Sequence, residues 1–431
     1  MISFFSFNDN TKSKYSIYIY YFILCFIVSL FFKDIPAITN IFMIFIFFGA
    51  WLNVSPKLYK QLFFKHPVNI GIVLFFLFHF ISLLYSSDKA SGLIVVQRRL
   101  SLFILPMAFC LIDFEKKTWQ KILLFYAITT TFASTIGFIY GSYMSITTHD
   151  SGYLYNDNIS VLVIGKQAVY FALYVNFAIF IFIYLLFQNI EIIKKFRPFI
   201  WVLIAWLLFI SFMLACKTEM ISLIVILLWI TLKYIIREKK IYEAILLLFF
   251  LIVGIVLFNK FFPKTLNRFN GFTQTSFDFK NKNNENHFNT VFDETKWSST
   301  NTRIAIWKCG VEIWEKYPLF GTGIGDKNNI LKDKYKEKQF WYALTTEKNT
   351  HNQYLDIAIS MGILGLIGFL FVFLLNPIRI FLIQKQNFPL IIFLCLSFCF
   401  LTENILDRYQ GEVLIAFMLP LSAKIFDNPL G

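Results

Sequence analysis

The sequence predicts an all-α, polytopic membrane protein of about 12 transmembrane helices, and three observations lead there. Hydrophobic residues fill 57% of the 431 positions, above the roughly 45–50% of soluble domains. They arrive in continuous runs of about 17 to 25 residues, the length a helix needs to cross about 30 Å of hydrocarbon. Lys and Arg gather in the short loops between alternate runs, the bias that orients membrane proteins. The net charge of +14 therefore records topology and gives no reason to expect a nucleic-acid partner.

In order, the apolar runs are 15–32, 36–53, 68–85, 95–112, 119–143, 161–189, 198–215, 218–235, 241–260, 354–375, 388–402 and 411–427. The first is followed at once by another run, without a small-residue cleavage site, and reads as a retained span. Five loops are basic: Lys57, Lys60 and Lys65; Lys116, Lys117 and Lys121; Lys194, Lys195 and Arg197; Lys233, Arg237, Lys239 and Lys240; Arg379 and Lys385. The positive-inside rule puts these in the cytoplasm, with both chain ends. Residues 144–160 contain neither Lys nor Arg and read as external. So does the long interval 261–352, whose own lysines do not count because long loops escape the rule. The chain thus divides into nine helices over 1–260, a large external loop over 261–352 carrying an amphipathic helix, and three helices over 353–431.

Within the long loop, Asn281-Lys-Asn-Asn-Glu-Asn286 is poor in hydrophobic residues and reads as mobile. The run Ser299-Thr-Asn-Thr302 suits a helix N-cap, and Ile304, Trp307, Val311 and Trp314 recur at helical spacing after it. That stripe suits a helix lying on the membrane or on other spans.

Three features there can carry chemistry. Arg303 opens the predicted helix, where a guanidinium fork and free first-turn amides suit an anion such as a diphosphate. Pro318-Leu-Phe-Gly321-Thr-Gly323-Ile-Gly325 is a glycine-rich turn without the Gly-Lys-Ser/Thr of a phosphate loop or the order of a dinucleotide motif. Its glycines permit close backbone approach to a substrate or another helix. His351, just before the tenth run, is the side-chain type best suited to general-base work near neutrality. Arg98, Arg99, Lys166, Lys217, Glu403 and Arg408 lie at external helix ends or just inside spans. Charges at such depth are costly and turn toward a bundle interior, and the excess of cations fits an anionic ligand. The six cysteines form no CxxC pair and the five histidines show no ligand spacing, so neither metal nor cofactor is expected.

Arg303 with Trp307, the Pro318–Gly325 turn, His351-Asn-Gln-Tyr-Leu355 and Met361-Gly-Ile-Leu-Gly365 together resemble the O-antigen ligase and polymerase superfamily of bacterial envelope proteins. The match is specific over about residues 301–410 and topological elsewhere. The resemblance implies an inverting, metal-independent glycosyltransferase of the inner membrane. It would take a glycan from undecaprenyl diphosphate at the periplasmic face and pass it to a lipid A-core or another glycan acceptor, among membrane lipids. The family's loop arginine and loop histidine correspond to Arg303 and His351, and Glu403 to an acidic residue of its late helices; these three form the expected catalytic set. The expected substrate-binding set is Lys217, Arg98, Arg99, Arg408, Gly321, Gly323 and Asn352. Cys216-Lys217 stands where the family has Ser-Arg, a departure that keeps the charge but loses the fork.

Ligase, polymerase and protein O-oligosaccharyltransferase stay open on these residues, as does sugar specificity. Outside the enzyme class stands a transporter, which would show internal repeats and matched broken helices; no repeat is visible. A non-catalytic scaffold would tolerate loss of Arg303 and His351.

Orientation is open to direct measurement. With the native cysteines replaced, a cysteine at Asn284 should react with a membrane-impermeant thiol reagent in intact spheroplasts, and one at Lys57 only after lysis. The reverse pattern would invert the topology.

Overall fold

Inside a bilayer no water is present to satisfy backbone N–H and C=O groups, so the apolar runs pair them internally, as helices. The computed structural model describes residues 15–188, 190–238, 271–286, 292–383 and 387–424, with Phe5, Phe7, Tyr242, Lys260 and Lys385 besides. Helices α1 (Ser16–Ser29), α2 (Pro36–Asn53), α3 (Pro56–Phe64), α4 (Pro67–Tyr85), α5 (Lys89–Arg98), α6 (Ser101–Leu111) and α7 (Lys116–Thr148) come first. After them come α8 (Asp157–Ser160), α9 (Ala168–Phe187), α10 (Glu191–Lys195), α11 (Arg197–Leu214) and α12 (Lys217–Glu238). The second half holds α13 (Ser299–Lys316), α14 (Lys327–Glu337), α15 (Trp341–Thr345), α16 (Gln353–Leu370), α17 (Asn376–Ile383), α18 (Asn387–Phe400) and α19 (Tyr409–Lys424). Among the described residues there is no strand, only one isolated bridge between Glu285 and Trp297. The chain is an all-α polytopic membrane protein. Eight of its described helical segments are long and apolar enough to cross a membrane, and α1 and α18 are apolar but shorter. The expected ninth span, 241–260, and the basic pair Lys239 and Lys240 lie outside the described residues.

Several boundaries differ from the apolar runs. The run 95–112 is a broken helix: α5 and α6 form one apolar segment interrupted at Arg99 and Leu100, where the Arg99 side chain turns inward. The run 161–189 starts its helix only at Ala168, whose N–H is capped by Asp157 Oδ1 at 2.8 Å. Helix α7 runs 33 residues, about 50 Å at 1.5 Å per residue, and so outreaches the hydrocarbon.

The tenth span is also broken. Gly362 sits at φ +66° inside α16, and the glycine-rich turn fills the gap. Thr322 N donates to Ile359 O at 2.8 Å and Gly323 N to Ser360 O at 2.9 Å, while Ile363 N donates to Pro318 O at 2.8 Å. Groups freed by the kink thus pair with the turn, the condition under which irregular backbone is tolerated at membrane depth. The approach is close from both sides. A Cβ on Gly321 would lie 2.5 Å from the backbone N of Gly362 and of Met361, and one on Gly362 only 2.2 Å from Leu319 O.

The long loop is a small helical layer with its own core. Trp297, Ile306, Cys309, Leu331, Tyr335 and Phe340 pack together beneath α13, α14 and α15. The segment expected to be mobile is held: Asn281 and Asn283 both donate side-chain bonds to Thr295 O, and Asn286 N donates to Trp297 O at 2.7 Å. Helix α13 also buries a different face from the one expected. Thr302, Ala305, Ile306, Cys309, Gly310 and Ile313 are covered, whereas Val311 is 40% exposed and Ile304, Trp307 and Trp314 are half-buried. Small side chains decide this, since Gly310 lets α13 press onto α16: a Cβ there would meet Leu355 at 2.7 Å.

The glycine latch can be tested by melting. Gly362→Ala should lower the detergent-solubilised melting temperature sharply, since the backbone strain alone costs about 1–3 kcal/mol and the new methyl group clashes. Gly368→Ala, with nothing within 4 Å of the added atom, should leave it unchanged or slightly raised. Equal behaviour of the two would refute the latch.

Candidate functional site

The N-terminus of α13 organises the site. Ser298 caps it, its hydroxyl accepting from Asn301 N at 3.1 Å while Asn301 Oδ1 accepts from Ser298 N at 2.8 Å. One turn in, Arg303 donates through Nη1 to Ser299 O at 3.3 Å and through Nη2 to Glu403 Oε1 at 3.2 Å. Lys217, opening α12, donates to Ser299 Oγ at 2.9 Å. The other Glu403 oxygen lies 3.5 Å from His351 Nδ1, contact distance and long for a hydrogen bond. Arg303 and His351, from two other segments, thus meet at the Glu403 carboxylate, and Lys217 joins the α13 N-terminus beside them. Burial pushes the Glu403 carboxyl up, but the His351 and Arg303 side chains beside it outweigh this and hold it below its ordinary range. Arg303 Nε and His351 Nδ1 are buried without a hydrogen-bond partner, so polar capacity is left over next to Glu403.

His351 and Glu403 also line a cavity of about 420 Å³ with Asp157, Lys166, Tyr170, Lys348 and Arg408. Lys348 contacts Glu285 at 3.3 Å. Lys166 and Arg408 are exposed, and neither has an ion-pair or hydrogen-bond partner for its cationic head among the described residues. Arg303 and Lys217 are absent from the cavity wall; Arg303 reaches it through Glu403, while Lys217 stays behind it on Ser299. The wall therefore offers two uncommitted cations facing a histidine–carboxylate pair, an arrangement able to hold an anion and accept a proton.

A ring of buried charge lies beneath. Lys327, at the start of α14 and 4% exposed, bridges Asp356 at 2.5 Å and Asp407 at 2.8 Å. Arg99, 1% exposed, bridges Asp407 at 2.9 Å and contacts His79 and the Leu406 carbonyl. Two cations meet two carboxylates, so the ring is neutral. Burial raises the Asp407 carboxyl, but Lys327 and Arg99 override it and keep the group well below the usual carboxylate range. Asn404 joins this ring to the histidine turn, donating to Asp356 Oδ1 at 2.9 Å and accepting from Asn352 N at 2.7 Å.

The structure brings Arg303, His351, Glu403 and Lys217 together and sets Arg408 on the same cavity. Arg98 donates to the Asp407 carbonyl at 2.9 Å and lines a separate cavity of about 300 Å³ with Lys33 and Tyr409. Arg99 faces the protein interior, because its guanidinium neutralises Asp407. Gly321 and Gly323 face other parts of the protein: a Cβ on Gly323 would lie 2.4 Å from Ser86 Oγ and 2.9 Å from Ser86 Cα. Asn352 caps α16, its side chain accepting from Leu355 N at 3.0 Å, and adjoins His351 through the chain. Sequence reasoning missed Lys327, Asp356, Asn404, Asp407 and Lys348. Asp356 carried a usable signal, an acid inside an apolar run that calls for a partner; the others sit in polar stretches and carry none.

Fold and site together define a polytopic membrane protein whose cations and histidine–carboxylate pair converge at one end of the helix bundle. Residues 202–370 match the family model described as O-antigen ligase, so this part of the chain is similar to that family, as its motifs suggest. The matched stretch holds Lys217, Arg303, Gly321, Gly323, His351 and Asn352 and ends before Glu403 and Arg408. The family supports a ligase- or polymerase-like part in glycan transfer, in the manner of a membrane glycosyltransferase. No curated protein matches the chain.

The pH dependence of stability tests the Glu403 contacts. Its folded-state pKa is depressed from 4.5, so the ionised group contributes stability above that pH and loses it as pH falls through the lower folded value. The melting-temperature gap between wild type and Glu403→Gln should be steady near neutrality and shrink below pH 4.5. A gap that persists undiminished into acid would mean that the charge contributes nothing.

Proposed function

We propose that this protein is an inverting glycosyltransferase at the periplasmic face of the inner membrane, moving a glycan from undecaprenyl diphosphate to a lipid A-core sugar or another glycan acceptor. The observation that carries the reading is the convergence of His351, Glu403, Lys166 and Arg408 on one cavity. An acceptor hydroxyl attacks the anomeric carbon from the face opposite the diphosphate, and the sugar–phosphate bond breaks. The hydroxyl proton passes to His351, which Glu403 orients. Charge growing on the departing diphosphate is met by Arg408 and Lys166 on the wall, with Arg303 and Lys217 adding field at the α13 N-terminus. Side-chain cations on the cavity wall take the part a metal plays elsewhere. A broken span is also a transporter feature, but this one is occupied by the chain's own Pro318–Gly323 backbone, which favours an enzyme.

Single-turnover transfer from purified lipid-linked donor tests these roles. His351→Ala should slow turnover by roughly 10²–10⁴-fold with donor affinity retained. Arg408→Ala with Lys166→Ala should weaken donor binding, and Arg303→Lys should lose much of the activity because a point charge cannot replace the fork that holds Glu403 and Ser299 O together. Chelator should leave transfer intact. Near-normal turnover in His351→Ala would remove the base; inhibition by chelator, reversed by a divalent ion, would remove the cation-based site. A gel of envelope glycolipids from a deletion strain separates the acceptors: loss of all capped core marks a ligase, a single-repeat cap a polymerase.

A further inference from the structure

We propose that Asn404 is a positioning residue for His351, coupling the buried charge ring to the angle at which the imidazole meets the cavity; the inference rests on His351 being the base. Its side chain is 1% exposed and spans both sides of the histidine turn. Asn404 Oδ1 accepts from Asn352 N at 2.7 Å and from Thr350 Oγ1 at 3.0 Å, while Nδ2 lies 2.8 Å from that same hydroxyl. Nδ2 also donates to Asp356 Oδ1 at 2.9 Å, and Asp356 and Asp407 are clamped by Lys327. The residues on either side of His351 are thus both tied to one amide, which is tied in turn to a neutral, buried ion cluster.

The backbone shows why such a tie is needed. His351 lies at φ +45°, in the left-handed region that a non-glycine residue holds only when its surroundings impose it. Three restraints impose it: Asn404 on both neighbours, Asn349 Oδ1 accepting from His351 N at 3.1 Å, and Trp307 Nε1 donating to Thr350 O at 3.0 Å. Asn404 also directly follows Glu403 in the chain. One turn therefore delivers the carboxylate to the imidazole and the amide to the imidazole's backbone, so both groups that position His351 share a common mount. The amide cannot be exchanged for a carboxylate: an aspartate at 404 would place a third acid against Asp356 and Asp407 and lose the donor.

The test is a cycle of variants assayed at matched folded yield. Asn404→Ala should lower kcat for transfer on the order of 10²-fold, the scale of an ångström misplacement, with the donor KM little changed. In the His351→Ala background the same change should cost nothing more, because the amide acts through the imidazole. Thr350→Val should reduce kcat in the same direction and Thr350→Ser restore it, and this pair carries the test if Asn404→Ala does not fold. Losses that multiply in the double variant, a raised KM with unchanged kcat, or a wild-type rate in Asn404→Ala would each overturn the inference while leaving the base in place. A wild-type rate in His351→Ala would instead remove the base, and the positioning role with it.

Discussion

The structure depends on one contact above others: the Lys327 ammonium buried between Asp356 and Asp407. It pins the start of α14 to the tenth span and to the turn before α19, and through Arg99 it reaches the break between α5 and α6. No segment of this set is close to another in sequence. Buried ion pairs add little net stability against a well-packed apolar alternative, because desolvating the charges offsets their attraction. Their effect is on arrangement: a shifted register would strand an unpaired charge in a low dielectric, at a cost of several kcal/mol. That asymmetry holds the loop layer in one place on the bundle.

The glycine-rich turn solves a second problem set by the membrane. A helix broken at Gly362 leaves carbonyls and amides that lipid cannot satisfy. The Pro318–Gly323 backbone supplies their partners, and Ser82 of α4 and Ser86 just after it extend the same pairing to Ile324 N and Gly325 N. Asp326 then accepts from Ser87 N and Asp88 N at 2.6 and 2.8 Å, fastening the start of α5. Lys327 follows immediately in the chain, so latch and ion cluster are consecutive parts of one clamp.

Function follows from what the clamp leaves outside itself. Arg99, Lys327, Asp356 and Asp407 neutralise one another, so they are not available to a ligand. Lys166 and Arg408 are uncommitted on the cavity wall, and Glu403 is shared between Arg303 and His351. In the proposed transfer a leaving diphosphate would need free positive charge and an attacking hydroxyl a base; the separation of paired from unpaired groups would provide both within one cleft.

The sequence by itself determined the all-α membrane class, because hydrocarbon thickness sets the length of the apolar runs, a local property of the chain. It also marked Arg303, His351 and Glu403, through residue type at a boundary and through family likeness. It could not show that Arg99 is a structural charge while Arg408 faces the cavity, since the two read alike as arginines near helix ends. Nor could it find Asn404 or Lys327, which are ordinary polar residues until the turn and the loop layer fold onto the bundle. Which face of α13 is covered was likewise decided by tertiary contact, where Gly310 admits Leu355 more closely than the larger Val311 stripe could. Partner identity across hundreds of residues is a property of packing, so those assignments belong to the tertiary structure alone.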